Sequence, residues 1–341
     1  MIIDLPDTTT QALSKKLRDV REEWGELTIG RVLTLIVVAS GEDDIDAILD
    51  TLHDASREHP SRVILLVSHG DADNNTLDCQ IRMGGDAGAS EVIVMHLHGA
   101  LAKHCASVVT PLLLPDTPIV AWWPGKAPRN PAADPIGAIA QRRITDACVE
   151  GDPDPFYRRR LTYSPGDTDL VWSRITLWRA VLASMVDRPP HEEILSAEVH
   201  GPALDPSVDI AAGWLADRLD VPVSRITTDA DAIPRDDHGE MTLGIQKTVL
   251  YRPSGQSIVE IVDASTASLT VAGKTSLVTL SRRVLADCLA EELRHLDPDE
   301  TYGRALRRLV RVHRPGHSMN RAAATGVAAS DTTDDFEGSH R

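Results

Sequence analysis

Val32-Leu33-Thr34-Leu35-Ile36-Val37-Val38 is a β-branched, almost wholly apolar run bounded by Gly30 and Gly41. A run without polar alternation predicts a strand buried on both faces, the kind found in parallel sheets. Residues 42–57 follow with Ile45, Ile48, Leu49 and Leu52 at helical spacing. The pattern then recurs. Strands are predicted over 63–67, 77–81 (alternating), 92–95 and 119–122, and a helix over 101–112. Strands separated by helices require long crossovers, so the first half reads as a mostly parallel sheet with crossover helices. Upstream, Leu13, Leu17, Val20 and Trp24 predict an amphipathic helix that ends at Gly25, with Thr8 and Gln11 as its capping box.

Prolines 124, 128, 131 and 135, and then 153, 155 and 165, interrupt regular structure, which places a boundary near residue 165. Beyond it, Val171, Ile175, Trp178, Leu182 and Met185 form one apolar stripe of a helix over 169–186. Strands are predicted over 195–199, 223–227, 241–249, 257–262 and 268–271, and helices over 208–219, 282–296 and 300–311. Three of these strands come in succession, so the second unit is α/β with more antiparallel character. The expected fold class is thus α/β in two α/β domains, 1–165 and 166–312. Residues 313–341, poor in large apolar side chains, are expected to be a disordered tail.

The chain of 341 residues, at roughly 100–200 per domain, is two domains long. Its net charge of −16 and pI near 5.2 repel phosphate backbones and anionic membranes, so nucleic acid is not an expected partner. No stretch approaches the roughly 20 apolar residues of a membrane helix, and the N-terminus lacks a leader pattern. A cytoplasmic protein is expected. Cys79, Cys105, Cys148 and Cys288 have no CxxC spacing and read as small buried hydrophobes.

Familiar catalytic signatures do not appear. Gly84-Gly85-Asp86-Ala87-Gly88 precedes a strand where a dinucleotide fingerprint requires a helix, so it reads as a loop. Gly273-Lys274-Thr275 ends like a phosphate loop, but Ser268 occupies the position of its first glycine; a turn between strands fits better. His96 and His98, two apart on a strand, point to one face, yet no third ligand stands at recognisable spacing, and a structural role is preferred to a metal site. His59 sits in ordinary turn chemistry. Arg158-Arg159-Arg160 reads as a solvated face paired with nearby acids. No cofactor and no metal are expected.

The aromatic residues are more distinctive, because there are so few: six Trp, four Tyr and two Phe. Pro118-Ile119-Val120-Ala121-Trp122-Trp123-Pro124-Gly125 sets two Trp at the carboxyl end of a strand, where open α/β sheets bind ligands. Adjacent residues face opposite sides, so one Trp can be core while the other is an exposed platform or partner anchor. The alternative buries both under the Pro-rich loop. In Asp169-Leu170-Val171-Trp172-Ser173-Arg174-Ile175-Thr176-Leu177-Trp178-Arg179 the stripe packs inward and the arginines are free to contact something else.

These two segments, with Trp24-Gly25-Glu26-Leu27 and His59-Pro60-Ser61-Arg62-Val63-Ile64, resemble in order and spacing the OpcA family. Its members are glucose-6-phosphate dehydrogenase assembly proteins of actinobacteria and cyanobacteria, and the resemblance spans about residues 1–312. It implies a non-catalytic partner that assembles with or activates the NADP-dependent dehydrogenase of the oxidative pentose phosphate pathway. On this reading Trp122, Trp123, Arg174 and Arg179 are the candidate partner interface. Cyanobacterial members are associated with thiol redox control, for which the scattered cysteines offer no pair. The competing expectation is a sugar-phosphate- or nucleotide-binding protein that uses the strand ends near Trp122 and Arg158 for the phosphate.

Overall fold

The computed structural model describes residues 1–24, 33–70, 74–83, 91–235, 239 and 243–315. Its first sheet contains β1 (Ile2–Leu5), β2 (Leu33–Ser40), β3 (Ser61–His69), β4 (Leu77–Arg82), β5 (Glu91–His98), β6 (Ile119–Trp122), β7 (Arg142–Thr145) and β8 (Asp167–Asp169). Their spatial order is β1-β4-β5-β3-β2-β6-β7-β8, parallel from β5 to β8, with β1 and β4 antiparallel at one edge. β2 and β3 are continuous apolar runs because both faces are covered. On one face α1 (Thr10–Trp24) brings Leu13, Leu17 and Val20 against Ile36, Ile64 and Leu66. On the other, α2 (Ile45–Ala55) brings Ile48, Leu49 and Leu52 against Leu35, Val37, Val63 and Leu65.

The α1 cap is Thr9, whose Oγ1 accepts from Ala12 N at 3.2 Å; Thr8 instead donates its backbone N–H to Leu77 O. The helix expected over 101–112 is broken into a 3₁₀ turn (Gly99–Lys103), α3 (Cys105–Val109) and a second 3₁₀ turn (Thr110–Leu112). His104, at φ −118° and ψ 28°, leaves the helical region between the first two pieces, and Pro111 cannot donate a helical hydrogen bond, so no single helix runs through. Strands β1, β7 and β8 are short and carry weak periodicity, and sequence reading passed over them. It also passed over α4 (Pro155–Thr162).

The second sheet contains β9 (Ser196–Pro202), β10 (Val223–Thr228), β11 (Lys247–Arg252), β12 (Gly255–Ile261), β13 (Thr266–Val271), β14 (Lys274–Thr279) and β15 (Val312–His313), in the order β14-β13-β12-β11-β9-β10-β15. Strands β11 to β14 are four in succession, one more than expected, and pair antiparallel; β9, β10 and β15 pair parallel. Ala272 and Gly273, both at positive φ, turn β13 into β14, so Gly273 lies in a hairpin turn and Lys274 and Thr275 begin the following strand.

The helix expected over 169–186 is two helices. α5 (Leu170–Arg174) and α6 (Thr176–Val186) meet at Ile175, which ends one and starts the other. With α7 (Pro206–Leu219) and α9 (Glu300–Arg308) they build the second core, where Trp172, Trp178, Phe156 and Tyr302 pack with Val199, Leu250 and Leu269. α8 (Leu285–Arg294) departs from this pattern: Cys288, Leu289 and Leu293 lie in the core of the first sheet.

The expected tail begins as structure. His313 pairs in β15, and Arg314 forms an ion pair with Asp154 at 2.7 Å. Residues 316–341, the Gly25 helix stop and the Gly84–Gly88 loop lie outside the described residues.

Candidate functional site

α8 lies beside α5 and so draws the two sheets together around buried charges. Glu292 of α8 accepts from Arg142 of β7, from Thr168 Oγ1 of β8 at 2.9 Å and from Ser173 Oγ of α5. Burial pushes its carboxyl pKa up, and Arg142 opposes the shift. Asp169 caps α5 by accepting from Val171 N at 3.0 Å and also pairs with Arg159, which is shared with Glu150.

The break at Ile175 sends the two arginines of this segment to different places. Arg174 makes a bidentate pair with Asp146, both contacts at 2.7 Å, and Asp146 is only 2 % exposed. Burial pulls the Arg174 pKa down, but the hydrogen bonds and charge of Asp146 outweigh it and hold it above the usual range. Arg174 is therefore not free. Arg179, one turn into α6, stacks its guanidinium 3.7 Å from the centroid of Trp172. It donates to Trp172 O at 3.3 Å and Thr176 Oγ1 at 2.8 Å, and its Nε is buried without a hydrogen-bond partner. Among the described residues it has no carboxylate in ion-pair contact. Burial lowers its pKa despite the field of Asp299, Glu291 and Glu292.

Trp172 is itself oriented: its Nε1 donates to Asp299 Oδ2 at 2.7 Å, and Asp299 caps α9 through Tyr302 N. Thr176 Oγ1 donates to Glu291 Oε1 at 2.6 Å, and Glu291 also pairs with Arg283. These groups line a cavity of about 720 Å³ at the junction of the two sheets, with Arg142 at its wall and residues 294–300 as its rim. A second cavity, of about 300 Å³, lies at the start of α7 and is lined by Arg174, Arg235, Arg282 and Arg283, with Asp205 beside them.

The paired tryptophans do face opposite sides of β6, but neither is exposed. Trp122 is fully buried under α8 with Leu289 and Cys288, and Trp123 is buried on the other face with Ile136 and Ala140. The expectation of an exposed Trp at the sheet end is thereby corrected in favour of its alternative, burial of both: the Pro-rich stretch covers Trp123, while the cover of Trp122 comes from far along the chain. Of the Arg158-Arg159-Arg160 run expected on a solvated face, Arg158 is exposed and pairs with Asp152, but Arg159 turns inward to Asp169 and Glu150. The four cysteines are free thiols; Cys79 and Cys288 are buried as expected, whereas Cys148 is exposed. Sequence reading had no signal for Glu292, whose three partners come from β7, β8 and α5.

Two mixed sheets, joined through α5, α8 and a cavity containing an arginine–tryptophan stack, define a two-unit α/β protein. Residues 52–161 match the glucose-6-phosphate dehydrogenase subunit N-terminal domain, and residues 165–306 match the C-terminal domain of that subunit. The chain belongs to the OpcA family of glucose-6-phosphate dehydrogenase assembly proteins, and its role is associated with that dehydrogenase.

No curated protein matches the chain. Among solved structures, a Gfo/Idh/MocA family oxidoreductase from Vibrio cholerae is 11% identical over 81% of this chain and 94% of its own, with a TM-score of 0.32. The MviM dehydrogenase from Clostridium difficile is 10% identical over 81% and 97%, with a TM-score of 0.37. Myo-inositol dehydrogenase from Lactobacillus casei is 11% identical over 82% and 93%, with a TM-score of 0.35. Likenesses this weak carry nothing about chemistry. Among the described residues no helix is long and apolar enough to cross a membrane.

Proposed function

We propose that the chain is a non-catalytic, cytoplasmic subunit that docks on glucose-6-phosphate dehydrogenase and activates it by binding its active form better than its inactive one. The observation that carries this reading is Arg179. It is a guanidinium with its stacking partner in place, no carboxylate in ion-pair contact with it among the described residues although Glu291, Glu292 and Asp299 are near, and an open cavity in front of it. A carboxylate side chain of the dehydrogenase, entering between the sheets, would complete the ion pair in a partly desolvated site where such a bond is strong. Arg174, Trp122 and Trp123 serve this surface from behind, by holding α5 and β6 in place. A differential affinity of about 1–3 kcal/mol would change the dehydrogenase's substrate affinity by about 5–150-fold.

The test is the rate of the cognate dehydrogenase across substrate concentrations, with and without the purified chain, alongside size-exclusion chromatography of the mixture. A shared peak and a raised rate are expected. Separate peaks with an unchanged rate would overturn the proposal.

The second reading, a binder of a small phosphorylated ligand, would use the cavity at α7, where Arg235 and Arg282 stand with Arg174 and Arg283, the last two already held by Asp146 and Glu291. Calorimetric titration of the isolated chain with glucose 6-phosphate and with NADP distinguishes the two, since heat from either ligand without the dehydrogenase supports the second.

A further inference from the structure

His96 and His98 lie on β5 with Leu97 between them, so both side chains stand on one face of the first sheet. The ladder brings two more donors to that face. His69, the last residue of β3, is the register partner of His98, and Asp78 of β4 is the register partner of His96. Three imidazoles and a carboxylate thus occupy neighbouring positions on three adjacent strands. They sit at the carboxyl ends of β3 and β5, where parallel sheets place ligands.

We infer that His69, His96, His98 and Asp78 form a binding site for a divalent transition-metal ion of the zinc type. As the side chains stand they make two pairs: His69 Nε2 to His96 Nδ1 at 3.0 Å, and His98 Nε2 to Asp78 Oδ2 at 3.2 Å. Two ligands of one tetrahedral zinc, with bonds of about 2.0–2.1 Å, lie about 3.3 Å apart, so each pair already has the spacing of neighbouring ligands. Among the described residues no group of three or more His, Cys, Asp or Glu side chains is placed to hold a metal ion as they stand, so binding would have to turn these side chains out of their present pairs. The His69 ring is stacked on His98, centroids 4.7 Å apart, and on His96 at 5.3 Å, so the three rings are close neighbours on one face.

Three further features favour a metal. Asp78 is already oriented, because Asp7 N donates to its Oδ1 at 2.8 Å and leaves Oδ2 towards His98. Gly41 makes room for the His69 ring: a Cβ there would stand 2.5 Å from Nδ1. The three rings are half-buried, and a cavity of about 450 Å³, lined by Asp4, Asp46 and Arg82, reaches His96 and Asp78. Imidazole with carboxylate suits zinc, nickel, copper or cobalt rather than magnesium or calcium.

The full chain, stripped with EDTA, is titrated with Co²⁺ and then Zn²⁺ while visible absorption and binding heat are recorded. One Co²⁺ per chain with intense ligand-field bands, displaced by Zn²⁺, is expected. Asp78→Asn should weaken binding by about 10–100-fold, and His96→Gln or His98→Gln by more. Circular dichroism of the metal-free variants checks that they fold, and Asp78→Asn, at a partly exposed position, provides a folded variant in any case. Absence of Co²⁺ binding, or binding that survives unchanged in a folded His96→Gln/His98→Gln chain, would overturn the assignment.

Discussion

Arg174 and Arg179 look alike in sequence, and replacing each by Met should separate stability from partner binding. Arg174 holds both oxygens of a buried Asp146, which also accepts from Cys148 N at 3.1 Å. Arg174→Met leaves that carboxylate buried and uncompensated, at a cost of about 3–5 kcal/mol of folding stability. Arg179→Met strands no carboxylate. It loses the contacts to Trp172 O and Thr176 and the stack at 3.7 Å, while the Met side chain keeps packing on the indole, so stability should fall by about 1 kcal/mol. In the complex the order reverses. An arginine anchoring a desolvated contact is worth about 2–4 kcal/mol, so Arg179→Met should weaken binding to the dehydrogenase by about 30–1,000-fold and abolish activation with it. Urea unfolding gives the first quantity for both variants, and titration of the dehydrogenase with each folded variant gives the second. The reasoning fails if Arg179→Met binds within about threefold of wild type, less than 1 kcal/mol. It also fails if Arg174→Met unfolds no earlier in urea than Arg179→Met.

Trp122→Ala should cost about 3–5 kcal/mol of stability, because the side chain is fully buried between β6 and α8; at temperatures where it is folded, the variant should still bind the dehydrogenase. Burial pushes the Glu150 carboxyl up to about 7 despite Arg159, so the folded chain binds its proton more tightly than the unfolded chain. That contribution is greatest below pH 4.5 and is lost as pH rises through 7; Glu150→Gln should therefore gain stability relative to wild type between pH 5 and pH 8, by up to about 3 kcal/mol. A difference that stays flat with pH would contradict this. Arg314→Ala should lower urea stability by about 1.5–3 kcal/mol through loss of the pair with Asp154, whereas an unchanged midpoint would mean that Arg314 adds nothing to the fold.

Much of the architecture was legible in local sequence. The unbroken apolar run of β2 announced a strand covered on both faces, and the alternation of Leu77, Cys79 and Ile81 announced one covered on a single face. The segments around Trp122 and Trp172 were enough to indicate the family. Periodicity reports which side of an element is apolar, but it does not report what lies on that side. Trp122 is core because α8 returns from residues 285–294 to cover β6, and Trp123 is core because Ile136 and Ala140 close the opposite face. Arg174 found Asp146, and Arg179 only an indole, because the chain breaks at Ile175, a feature that a continuous helical stripe conceals. His96 and His98 were visible as a pair from their spacing. His69 and Asp78 joined them through strand register, which is set by the packing of the whole sheet rather than by any local stretch of chain.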